Sequence, residues 1–211
     1  MKRSINSILA IIAGVLLSTT ALAGTITNGS LTGGLANGGV PAGWTVGTPS
    51  PDTNSFGAAA GSTTFGYGVT AVDSNDGGTW VGIAREGSGF VEYFYQTVTD
   101  FTAGQTYTLG WENANLGFDC CGYTGANAVE VLLDGISVGT GMTRSMASAW
   151  YDEAIAFTAT STSHTVGFRL ATGTKAYMQI DGVYLTSTGV PAPASLALLV
   201  LGLALLKQSR R

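Results

Sequence analysis

Positive charge is almost missing from the middle of this 211-residue chain. Residues 24–189 carry four basic side chains, Arg85, Arg144, Arg169 and Lys175, against thirteen acidic ones, a net charge of −9 with His164 neutral. Such a surface repels nucleic-acid phosphates and anionic lipid, which argues against nucleic-acid binding. Histidine and cysteine are equally scarce: His164 stands alone, and the two cysteines are the neighbours Cys120 and Cys121. One adjacent cysteine pair and one distant histidine cannot fill a tetrahedral zinc shell. There is no Gly-x-Ser-x-Gly elbow, so a serine triad has no support. The carboxylates are scattered, and no spacing among them selects a glycosidase pair. No stretch of 24–189 shows a helical period. His164 reads as a solvated group at a strand start.

The other five basic residues sit at the two ends. Lys2 and Arg3 precede an apolar core over 8–17, and Ala21 and Ala23 are small residues at the positions a signal peptidase reads. Residues 1–23 are therefore expected to be a signal peptide, with Gly24 the first mature residue; a retained N-terminal anchor is the competing reading. At the other end Val190, Pro191, Ala192, Pro193 and Ala194 lead into an uncharged Leu/Ala/Gly run over 195–206, closed by Lys207, Arg210 and Arg211. A helix over 190–206 is roughly 25 Å long at 1.5 Å per residue, short for a hydrocarbon core of about 30 Å. It spans marginally, as a temporary transmembrane anchor would. The terminal bases favour the cytoplasmic side, which leaves the body outside.

This tail resembles the PEP-CTERM sorting signal, in which a short Pro-Glu-Pro-type motif precedes one membrane segment and a basic end. Ala192 stands where Glu is usual. The resemblance implies removal of the tail by an exosortase after Sec export across the inner membrane of a Gram-negative-type bacterium. The protein would be anchored there transiently and then reach the cell surface or the extracellular exopolysaccharide matrix. A plain C-terminal tail anchor is the competing reading.

Residues 24–189 suit one domain with its own core. Period-two alternation predicts strands at 90–98, 106–112, 128–133, 136–138, 153–158, 164–170, 176–180 and 183–185, with weaker ones at 44–46, 65–72 and 80–84. Asp134-Gly135 is a hairpin signal, and Asp181-Gly182 is expected to bend the chain. Residues 33–51 and 73–78 read as loops. Many short strands at such spacing indicate an all-β sandwich. The stretches at 28–31, 41–44, 101–109, 129–135 and 180–185 are similar to the strands of carbohydrate-binding-module jelly rolls, which implies a jelly-roll β-sandwich.

Several residues are candidates for chemistry. In an oxidising compartment Cys120 and Cys121 favour a vicinal disulfide over the 117–125 loop; two separate thiols and an intermolecular link are the other readings. Trp111 lies inside an alternating strand and is expected in the core. Trp80, Trp150 and Tyr151 sit at strand starts beside loops, and Tyr123 adjoins the cysteine pair; all four are candidate glycan-stacking residues, with packing as the alternative. Asp73 and Asp76 could chelate Ca²⁺, although a solvated turn is the simpler reading. By the jelly-roll resemblance Asp181 is a candidate ligand of a structural Ca²⁺, usually shared with an N-terminal Glu where Thr32 stands here. The expected function is that of an exported, non-catalytic structural or adhesive protein of the cell surface or matrix. The alternative is a carbohydrate-binding module for exopolysaccharide, and an exported hydrolase comes third.

Overall fold

The computed structural model describes residues 24–48, 50–56, 66–87 and 89–187. The segments expected to be a signal peptide (1–23) and a sorting tail (190–211) lie outside the described residues. No helix among the described residues is long and apolar enough to cross a membrane.

Ten strands succeed one another among the described residues: β1 (Thr45–Thr48), β2 (Asp52–Ser55), β3 (Thr79–Arg85), β4 (Tyr93–Thr99), β5 (Thr106–Ala114), β6 (Val129–Leu133), β7 (Ile136–Thr140), β8 (Trp150–Thr158), β9 (Ser163–Leu170) and β10 (Ala176–Ser187). They form two antiparallel five-stranded sheets, ordered β2-β3-β10-β5-β8 and β1-β4-β9-β6-β7. Alternation decides which residues face between them. In β4, Phe94, Gln96 and Val98 are buried while Tyr93, Tyr95 and Thr97 look outward. In β5, Tyr107, Leu109 and Trp111 enter the same core, as expected for Trp111. Trp44, Phe94 and Phe168 meet as an aromatic cluster with centroids 5.2–6.0 Å apart. Each such ring contributes roughly 1.5–3 kcal/mol of burial, and the sandwich is held mainly by this layer.

The β6–β7 hairpin turns at Asp134 (φ 51°) and Gly135 (φ 79°), the left-handed pair that a two-residue hairpin loop requires. Three expectations are corrected. The described part of 65–72 is not a strand; it crosses the outer face of the β2-β3-β10-β5-β8 sheet, where Val69 N donates to Leu116 O at 3.1 Å. The strands expected at 176–180 and 183–185 are one: β10 runs on through a bulge between Asp181 and Tyr184, a local kink at the place where Asp181-Gly182 was expected to bend the chain. The loop expected over 33–51 holds β1 at its end, and β2 comes directly after it from a polar Asp-Thr-Asn-Ser sequence. That segment forms a strand because it pairs with β3 and buries Thr53 and Asn54.

Candidate functional site

Register brings three carboxylates into one row on the outer face of the β2-β3-β10-β5-β8 sheet. Asp181 of β10 is opposite Glu112 of β5, and Glu112 is opposite Asp152 of β8. Directly opposed residues place their Cβ atoms about 4.5–5.5 Å apart, and like charges there are destabilising. The 73–78 turn crosses the row and answers part of that cost. Ser74 Oγ donates to Asp181 Oδ2, and Asn75 N donates to Glu112 Oε2 at 2.9 Å. Asp181 is 0% exposed, its Oδ1 has no hydrogen-bond partner, and burial pushes its carboxyl up to about 7. Protonation is thus the row's second means of relief.

An open groove of about 460 Å³ lies at the outer end of the row, lined by Gly29, Asn75, Asp76, Glu112, Asp152 and Tyr184 among others. Tyr184 is 50% exposed. Its ring rests on Gly110: a methyl group there would fall 2.1 Å from Tyr184 Cζ. Glycine therefore lets the ring lie flat, with one face sealed by the sheet and the other open. A flat aromatic face beside carboxylate acceptors suits a sugar, whose C–H face stacks on a ring and whose hydroxyls donate.

The remainder of this face is covered. Trp80, offered as a glycan contact, is 0% exposed beneath Tyr67, Val69, Ala71 and Val72, which corrects that expectation. It is packed edge-on against Trp150 at 5.4 Å. Trp150 is half-buried, and its Nε1 donates to Val72 O at 2.8 Å. Deeper still, Asn54 Nδ2 donates to the Tyr177 hydroxyl, which donates to Asp52 Oδ2. Glu92, nearby and buried, accepts from Ala84 N at 2.7 Å, yet burial pushes it up to about 8.

Tyr151 and Tyr123 each carry a cation on the ring: Arg144 lies 4.1 Å from the centroid of Tyr151 and Lys175 4.3 Å from that of Tyr123. The Tyr123 hydroxyl also donates to Glu86 Oε1 at 3.1 Å. Neither ring lines the groove. Cys121 is disulfide-bonded within a single 3-10 turn, where its φ is 77°, and the sequence holds one other cysteine, Cys120. His164 is not a solvated group: it is 2% exposed, its Nδ1 lies 2.6 Å from Asp134 Oδ2, and its Nε2 accepts from the amides of Thr160 and Ser161 at 3.1 Å. It is a structural clasp, which an isolated strand-end histidine does not reveal in sequence.

Calcium takes six to eight oxygens. Asp181 Oδ1 is a buried oxygen without a hydrogen-bond partner, and no group of three His, Cys, Asp or Glu side chains is drawn together as a metal set among the described residues. Asp76 lines the groove, and Asp73 is exposed on the same turn.

No family model and no curated protein matches the chain. Solved structures do. A cyclase from Fischerella sp. TAU, crystallised with 4-(1H-indol-3-yl)butan-2-one, is 18% identical, with 82% of this chain and all of that one covered at a TM-score of 0.50. A CBM22-1 xylan-binding domain from Paenibacillus barcinonensis is 11% identical over 77% of this chain and 98% of that one, TM-score 0.43. A family 35 carbohydrate binding module from Clostridium thermocellum is 14% identical over 66% and 99%, TM-score 0.38. At these identities the likeness concerns the two-sheet β-sandwich fold alone.

Proposed function

We propose that this chain is an exported, non-catalytic glycan-binding protein with a jelly-roll β-sandwich, acting as an adhesive component of the cell surface or extracellular polysaccharide matrix. The observation that carries the reading is Tyr184, laid flat on Gly110 and half exposed at an open groove that the carboxylates of Asp76, Glu112 and Asp152 also line. Hydroxyl donors of a neutral glycan meet acceptors there, whereas a uronic-acid polymer meets repulsion from a body of net charge −9. Export, transient anchoring in the inner membrane and exosortase processing are part of the same proposal and rest on the sequence at 1–23 and 190–211. The test is affinity electrophoresis of the purified protein through gels of neutral and anionic polysaccharides. Retardation by a neutral polymer, weakened by Tyr184→Ala, is expected; no retardation by any polymer refutes the reading.

One observation favours a hydrolase instead. Glu112 and Asp152 are cross-strand neighbours in the groove, and retaining glycosidases hold their two carboxyls about 5–5.5 Å apart. Against it, the carboxyl of the row held protonated toward neutrality, Asp181, is sealed beneath Ser74 rather than facing the groove. Release of aryl alcohol from aryl glycosides, abolished by Asp152→Asn, would establish the catalytic reading over the binding one.

A further inference from the structure

The opposite face of the sandwich carries a second aromatic surface that the groove does not use. Tyr93 and Tyr95 alternate with inward Phe94 and Gln96, so both rings stand on the outer side of the β1-β4-β9-β6-β7 sheet. Their planes are 18° apart with centroids at 5.5 Å. A methyl group at Gly47 would fall 2.1 Å from Tyr93 Cδ1, and one at Gly167 would fall 2.3 Å from its Cε2. The Tyr93 ring therefore spans from β1 to β9 and lies flat over two glycines, held in place by the absence of side chains beneath it. Tyr95 is stacked on it in a near-parallel, offset arrangement, so the pair presents a stepped aromatic surface to the outside.

The surroundings point to a polyhydroxyl partner. By register Tyr93 is beside Arg169, which is paired with Glu130, and Thr97 is opposite Thr165. A fixed ion pair and threonine hydroxyls offer both donors and acceptors at the rim of the rings. The body's net charge of −9 disfavours an anionic polymer.

We propose that Tyr93 and Tyr95 form a second binding surface for the flat face of a neutral polysaccharide, which together with the Tyr184 groove on the opposite sheet makes the protein bivalent. A bivalent binder holds two chains at once, and linked sites gain avidity without new contacts. The bivalent part rests on the groove reading; the tyrosine surface does not.

The test uses variants of the purified full chain and particles of an insoluble neutral β-glucan, with alginate as the anionic control. Tyr184→Ala should still pull down with the glucan, because the tyrosine pair is intact. Adding Tyr93→Ala and Tyr95→Ala to it should lower that binding at least tenfold. Tyr93→Phe with Tyr95→Phe should keep the binding, since the rings remain; this guards against loss by misfolding. Wild type should agglutinate glucan particles, whereas Tyr93→Ala with Tyr95→Ala should bind without agglutinating. If Tyr184→Ala loses all binding, the second surface is refuted and the groove stands. If Tyr93→Ala with Tyr95→Ala loses all binding while Tyr184→Ala keeps it, the groove fails and the second surface stands. Stronger binding to alginate than to glucan would overturn the assignment of a neutral partner.

Discussion

Raising the pH from 5 to 8 should destabilise this protein, opposite to the usual behaviour of a chain held by ionised carboxylates. Burial raises Asp181 from 3.8 to about 7 and Glu92 from 4.5 to about 8. A raised carboxyl binds its proton more tightly in the folded state than in the unfolded one. Its stabilising effect is therefore greatest below the unfolded value and is lost as pH climbs through the folded value. By linkage, Asp181 and Glu92 each give up roughly 3 kcal/mol between pH 5 and 8. Asp52, also raised by burial, pushes in the same direction. Opposing groups do not act in this window. Burial alone would raise Asp134 and Glu130, but the bonds from His164 and Arg169 outweigh it and hold both low, so their contribution is lost only in stronger acid. A loss on the order of 6 kcal/mol in a domain of this size corresponds to a drop in Tm of about 10 °C or more. The assay is thermal unfolding by circular dichroism at half-unit steps of pH. Asp181→Asn keeps the bond from Ser74 and should remove nearly half of the slope; adding Glu92→Gln should remove most of the rest. A wild-type Tm that is flat or rising from pH 5 to 8, or a slope unchanged in the double variant, would refute the reasoning.

Single contacts give further expected outcomes. His164→Ala removes the acceptor of the Thr160 and Ser161 amides and the partner of Asp134 Oδ2, and should cost about 1–3 kcal/mol in urea unfolding; a cost below about 0.5 kcal/mol would contradict the clasp. Trp80→Ala empties a fully buried site under the 66–72 crossing and should cost about 3–5 kcal/mol, with glycan affinity at Tyr184 unchanged once the protein is folded. Gly110→Ala should displace the Tyr184 ring and weaken glycan binding; retained affinity would mean the flat seat is irrelevant. Mass spectrometry of the protein recovered from its producing cells should show Gly24 as first residue and an end near 190–194; an intact tail would refute processing.

Strand positions were legible wherever alternation was strong. β5, β6, β8 and β9 fall where apolar and polar residues change places, and Asp134-Gly135 turns as its dipeptide implies. β2 was illegible because Asp52-Thr-Asn-Ser55 has the composition of a turn, and only its partner β3 makes it a strand. The groove was illegible for a different reason. Asp181, Glu112 and Asp152 come from three strands far apart in sequence, and no local spacing foretells that their registers coincide. The aromatic residues show the same limit. Trp80 and Tyr184 both sit in alternating strands, yet one is sealed by the 66–72 crossing and the other is left open.

Composition and period by themselves determined the sign of the charge, the address signals expected at the ends, the all-β class and the inward face of most strands. Those properties are local or additive, so no partner is needed to read them. Tertiary structure decided which aromatics meet solvent, which carboxylates share a row and which histidine is buried. Exposure and electrostatic coupling depend on distances between residues remote in the chain, and only the packing of one segment over another sets those distances.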